Sequence, residues 1–377
     1  MNFNFYITKS NIKMSSIKSS QYSYNIWCYW DQGSENIPEF HNLCMESWKK
    51  HLDRKWKINI VDRKYFNILC KKYDNSITPE FLAEFTIQQL SDLARLFVLK
   101  HFGGVWIDIT TVLLKNFTWL TDKWLEGYDY VGFYLNTKKY IENWFIAVPY
   151  PHTYIITKWY DIFLKILREA THKYGIVQSK TWQNTQKDHI DMIAPSEYLS
   201  MHVAISNCMQ TDSKFLELIE TKGYLVDAKA TAFIFQDKCK WYTGAGCLLK
   251  GLGSNVTPGS LKNTPLIKLR GGDVGFAGYY GNSRFREVFY KNTGKKYGRH
   301  KNIVQLFIVF LIFSPIFLCI YLQHKTPARL AAFLIILLNL IIIGIFLGIQ
   351  INKDKIYWKS IITKLMTVNK QKNTRRS

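Results

Sequence analysis

Apolar positions at Leu90, Leu93, Ala94, Phe97, Val98 and Phe102 recur at the helical period. They predict an amphipathic helix over Phe81–Gly104. Gly103 and Gly104 end it, because glycine adopts the left-handed conformation that closes a last helical turn. Val105, Trp106 and Ile107 then read as a short buried strand, placed at Val105–Ile109. Asp108 falls at its carboxyl end, the edge at which open α/β sheets bind ligands. Asp92 and Arg95, three apart on the preceding helix, share one face. One segment thus directs two carboxylates and a guanidinium towards a common cleft, an arrangement suited to a phosphate-bearing ligand and a hard metal ion.

The same reading gives strands at Ile26–Tyr29, Trp56–Val61, Tyr128–Tyr134, Trp144–Val148 and Tyr224–Asp227. Helices are predicted over Phe40–Leu52, Trp159–Glu169 and Thr211–Glu220. Strands alternating with helices argue for an α/β fold with a largely parallel sheet. The stretch Thr243–Arg299 reads as loop-heavy. Beyond it, Ile303–Leu322 and Leu330–Ile349 are apolar runs of bilayer-spanning length, joined by the polar turn Gln323–Arg329. Gln305, Ser314, Pro315 and Asn339 are the marked polar or kinking residues within them, all tolerated in spans. Neither run offers a polar face, so the pair predicts a transmembrane helical hairpin.

Charge sharpens that expectation. The formal net charge is +22, a value that raises nucleic acid as a partner. The basic residues crowd at Arg284–Lys301 and Lys353–Arg376, on both sides of the apolar runs, which points to a bilayer surface. No nucleic-acid-binding module is recognisable, and none is expected to bind. The positive-inside rule places the folded domain and the tail together in the cytoplasm. Seven cysteines show no C-x-x-C pair, which fits a reduced compartment and suggests no zinc site. The amino terminus lacks the apolar stretch of a signal peptide. The expected division is a flexible segment at 1–24, a catalytic domain at 25–285, a basic linker at 286–302, two spans within 303–350 and a basic tail at 351–377.

The S-D-x-x-R helix followed by G-G-V-W-x-D-x-T resembles the capsular polysaccharide synthesis protein family, which is similar to sugar transferases with an Asp-x-Asp motif. Ile26–Gly33, Pro38, Cys44 and Ser47-Trp48 match its opening blocks. Glu142–Ala147, Tyr198–His202 and Pro265–Leu269 match its later ones, so the likeness covers Ile26 to Arg270. It implies a GT-A-like nucleotide-diphospho-sugar transferase domain, a nucleotide-sugar donor and Mn²⁺ or Mg²⁺. Asp108 is then the expected metal ligand, with Thr110 and His202 assisting. Asp92 would accept from sugar hydroxyls, Arg95 would meet phosphate oxygens, and Lys268 the diphosphate. Trp30 would stack on the base, with Trp27 competing for that role, and Gln32 and Gly104 would help hold the donor. The likeness also implies retention of anomeric configuration. One departure stands out: the second acid of the broader transferases' motif is Thr110 here.

These readings lead to a membrane-anchored, metal-dependent glycosyltransferase acting on a polysaccharide or lipid-linked acceptor. The alternative is a catalytically idle membrane scaffold of a polysaccharide-assembly complex.

Overall fold

The computed structural model describes residues 22–170, 175–188, 190, 196–238, 256–257, 259–270 and 283–294. All of these fall within one structural unit, Met1–Lys296. The expected hairpin and tail, and the amino-terminal segment up to residue 21, lie outside the described residues. Among the described residues, no helix is long and apolar enough to cross a membrane.

A six-stranded sheet forms the centre, in the order β2 (Lys57–Val61), β1 (Asn25–Tyr29), β3 (Gly104–Ile107), β6 (Thr137–Val148), β5 (Tyr130–Leu135), β7 (Gly223–Asp227). The sheet is mixed rather than largely parallel. β1 runs parallel to β2 and β3, and β5 parallel to β7, but β6 is antiparallel to both of its neighbours. Short apolar runs carry no signal of direction, and the β5–β6 hairpin reverses the chain at Asn136, which takes a positive φ of 62°. A separate two-stranded ribbon pairs β4 (Thr111–Leu113) with β8 (Leu266–Lys268), antiparallel.

Helices cover both faces of the sheet, which is why β3 and, after Asn25, β1 are apolar and buried. Their residues alternate between the two sides. Trp27, Tyr29 and Trp106 join the core beneath α4 (Ile87–Phe102) and α6 (Tyr154–Glu169). Ile26, Cys28, Val105 and Ile107 join the opposite core, with Trp48 of α1 (Glu39–His51) and Leu120 and Trp124 of the helix Thr118–Leu125. The helix expected over Phe81–Gly104 is in fact two, α3 (Pro79–Ala83) and α4. The break follows from Thr86, whose side chain accepts from the Gln89 amide while Gln89 reaches back to the Thr86 amide. That reciprocal capping box starts a helix and does not continue one. Further along, the helix expected at Thr211–Glu220 runs over Ser213–Lys222 and is capped by Asp212, and a separate helix not expected from the sequence, Ser200–Thr211, precedes it.

Arg63–Tyr73 is helical, and β6 is far longer than the strand expected at Trp144–Val148. Within the stretch expected as loop and basic linker, Ser283–Thr293 forms a helix that packs on α1. Phe289 is buried and stacks on Phe40 with ring centroids 5.0 Å apart, and Asn292 meets His51 at 2.8 Å. Those contacts tie this part of the expected linker to the domain.

Candidate active site

The tight turn between β3 and β4 fixes the centre of the site. The Asp108 amide continues the sheet by donating to the Trp144 carbonyl, and the Thr111 amide donates back to the Asp108 carbonyl at 3.0 Å. Trp106 and Asp108, two apart, point to the side of the sheet that α4 covers. On α4, Asp92 and Arg95 project from one face. The two elements meet at Arg95, whose Nη1 donates to Asp92 Oδ1 at 2.7 Å and whose Nη2 donates to Asp108 Oδ1 at 3.1 Å. Trp106 Nε1 donates to the same Asp108 oxygen at 3.1 Å, and its ring lies 4.9 Å beneath the guanidinium. Asn143 of β6 donates to Asp92 at 3.4 Å.

Lys268 completes the cluster from the far ribbon. Its Nζ lies 3.3 Å from Asp108 Oδ2 and donates to Thr110 Oγ1 at 2.7 Å and to the Leu269 carbonyl at 2.9 Å. Pairing of β8 with β4 aligns Lys268 opposite Thr111, which delivers the ammonium to the turn.

The two carboxylates differ electrostatically. Burial pushes Asp92 up to about 7, with the Asp108 charge adding to the rise and Arg95 opposing it. Burial acts on Asp108 in the same direction but loses to the charges of Lys268 and Arg95, which hold it below the usual carboxylate range. Buried Glu142, also pushed up to about 7 by burial, feels the same lysine. The result is one firmly ionised carboxylate beside a second that titrates near neutrality.

Asp92, Arg95, Trp106, Asp108, Thr110 and Asn143 floor a cleft of about 350 Å³ whose walls are Tyr29, Trp30, Asp31, Gln32, Ile87, Gln88, Ser91, Ile109 and Tyr198, with Lys268 behind Asp108 and Thr110. Trp30 is a half-buried wall, its ring 5.1 Å from that of His41 and its Nε1 donating to the Asn36 carbonyl. Trp27 lies within β1 and is buried in the core beneath α4, where its Nε1 donates to the Gly103 carbonyl. Of the two tryptophans, Trp30 faces the cleft. Asp31 beside it is held by Arg63 at 2.8 Å and Tyr29 at 2.5 Å.

Two expected site residues lie elsewhere. Gly104 opens β3 at a φ of +93°, and a Cβ there would come 2.3 Å from the Asn25 carbonyl oxygen. It admits the neighbouring strand and does not line the cleft. His202 is buried behind the wall, its ring stacked on Tyr140 at 5.0 Å, with neither nitrogen hydrogen-bonded among the described residues. Burial and Arg95 hold it down to about 3, so it is neutral there. Among the described residues, no group of three His, Cys, Asp or Glu side chains converges as a metal site.

Residues 2–240 match the family described as capsular polysaccharide synthesis protein. The chain belongs to that family. Among curated relatives, the O-glycosyltransferase braB of Annulohypoxylon truncatum is 26% identical over 186 residues, covering 45% of this chain and 43% of its own length. Glycosyltransferase afumC of Aspergillus fumigatus is 26% identical over 184 residues, covering 44% and 46%. The chain thus spans less than half the length of these relatives. The solved PaToxG Glycosyltransferase is 20% identical, covers 52% of this chain and 72% of its own, and superposes with a TM-score of 0.31.

Asn143 and Tyr198 line the cleft without any expected role. Both stood within blocks that carried the resemblance, and Asn143 sits one strand away from Asp108 only because β6 pairs with β3. Tyr198 is exposed and lines the cleft, a placement that only the structure supplies.

Proposed function

We propose that this chain is a glycosyltransferase of GT-A type whose cleft holds the diphospho-sugar part of a nucleotide-sugar donor. The observation that carries the reading is the Arg95 guanidinium, fixed between Asp92 and Asp108 at the floor of a cleft walled by Trp30. A planar, bridged guanidinium suits phosphate oxygens, the carboxylates suit sugar hydroxyls, and an indole at the rim suits a nucleobase. Membership of the capsular polysaccharide synthesis family and its O-glycosyltransferase relatives support transfer to an oxygen acceptor. A polysaccharide or lipid-linked acceptor fits the apolar runs at Ile303–Leu322 and Leu330–Ile349, which would hold the domain at a bilayer with its tail on the same side. Retention of anomeric configuration belongs to the same proposal.

Calorimetric titration of the full chain with a panel of nucleotide sugars, followed by assay for sugar release, tests the donor reading. Saturable binding of one donor class with slow hydrolysis in the absence of acceptor is the expected result. Silence across the panel would favour an idle scaffold. Cysteine labelling at the tail and at the Gln323–Arg329 turn tests the hairpin, which requires the two on opposite faces of the bilayer.

A further inference from the structure

A divalent ion at this site would take Asp108 as its principal ligand and Thr110 as its second. Both are already engaged by a cation of the chain itself. The Lys268 ammonium contacts Asp108 Oδ2 at 3.3 Å and Thr110 Oγ1 at 2.7 Å, while Arg95 and Trp106 occupy Oδ1. No oxygen of Asp108 is left without a donor. A metal would enter beside two fixed positive charges, and the position where the wider transferases carry a second acid is a neutral hydroxyl. The donor set does not fit a resident Mn²⁺ or Mg²⁺.

We infer that Lys268 is the built-in substitute for the metal, so that this cleft takes a diphosphate on the positive charges of Lys268 and Arg95 and needs no divalent ion. The inference rests on the donor site proposed above. Lys268 does not line the cleft. Its side chain is 10% exposed and reaches the back of the wall formed by Asp108 and Thr110. From there it acts through a low-dielectric layer, where an ammonium is felt more strongly than in water. Its position is set rigidly. The Lys268 amide donates to the Ala232 carbonyl, its own carbonyl accepts from Gln236, and the next amide donates to the Thr110 carbonyl. Two contacts of its own backbone, one of the next residue's and three of its ammonium fix the lysine in place, and the Thr110 departure acquires a reason. The neutral hydroxyl accepts from the ammonium without over-neutralising it, as a second carboxylate would.

Titration calorimetry of the full chain with inorganic pyrophosphate, in EDTA and again in excess Mn²⁺, tests this directly. Binding in EDTA at least as tight as in Mn²⁺ is expected. Lys268→Met should weaken it about ten- to a hundredfold, the effect of losing a charged partner, and Lys268→Arg should keep most of it in EDTA. Wild-type binding that appears only with Mn²⁺ overturns the role of Lys268 while leaving the donor site standing. Pyrophosphate binding in neither buffer overturns the diphosphate site and the lysine role together. If Lys268→Met does not fold, Lys268→Gln takes its place, and binding in EDTA as tight as wild type by that variant overturns the role of Lys268.

Discussion

The Trp106 indole donates to the carboxylate of Asp108, two residues on, at 3.1 Å, on the face of the sheet that α4 covers. That bond and the Arg95 contact share one oxygen, leaving Lys268 the other. Asp108→Asn would keep an oxygen for Trp106 and Arg95 but turn an amide NH₂ towards the ammonium. The variant should fold with a loss of about 1–3 kcal/mol, the range for a charged hydrogen bond, and lose at least about a hundredfold in donor turnover if two such interactions fail together. Urea unfolding and steady-state rates measure the two effects separately. Wild-type turnover in the folded variant would remove Asp108 from the reacting centre.

The two neighbouring tryptophans should separate cleanly. Trp30→Ala removes a half-buried wall of the cleft and should weaken nucleotide binding by about 1–3 kcal/mol, the scale of base–aromatic stacking, with little change in melting temperature. Trp27→Ala empties a core position and should cost about 3–5 kcal/mol of stability. Thermal melts alongside titration with the preferred nucleotide would show it. The opposite pattern would exchange their roles.

Gly104→Ala tests whether that glycine binds donor or admits a strand. The added methyl would lie 2.3 Å from the Asn25 carbonyl oxygen, at a φ of +93° that alanine resists. Backbone strain and overpacking together should cost about 2–6 kcal/mol. A urea midpoint equal to wild type, with donor binding lost, would return Gly104 to the binding role.

Acid should loosen the fold partly through His101. Burial, then the neighbouring Lys100 and His152, hold its imidazole down to about 4 from an ordinary value of 6.5. The folded protein therefore binds fewer protons there than the unfolded chain between those values. The contribution of His101 to stability is complete above pH 6.5 and is lost as pH falls towards 4. His101→Phe keeps the ring contact with Phe97, at 4.5 Å in the wild type, and cannot be protonated. The wild-type melting temperature should drop faster than the variant's below pH 6.5. Asp92 and Glu142 act in the opposite sense, losing stability as pH rises through their raised values, but both proteins carry them and their effect cancels in the difference. Parallel curves would show that His101 is not held neutral.

What could be read along the chain was whatever depends on neighbours a few residues apart. The i, i+3 spacing of Asp92 and Arg95 and the strand-end place of Asp108 follow from periods of 3.6 and 2, which any sequence displays. The break before α4 was equally local, written in Thr86 and Gln89, though the apolar period ran across it and hid it. The two tryptophans could not be told apart in the same way. Trp27 lies within β1 and Trp30 just past its end, and which of them is buried depends on the helices that cover the sheet. Sheet direction was likewise out of reach, since β6 enters between β3 and β5 by long-range pairing that leaves no mark on its composition. Lys268 is the sharpest case. It lies 158 residues from the Thr110 hydroxyl it meets, and in sequence it is one lysine among many. Only the antiparallel registration of β8 on β4 carries it to Asp108, because a hydrogen-bonded ladder fixes position across any length of chain while side-chain periodicity fixes it only within an element.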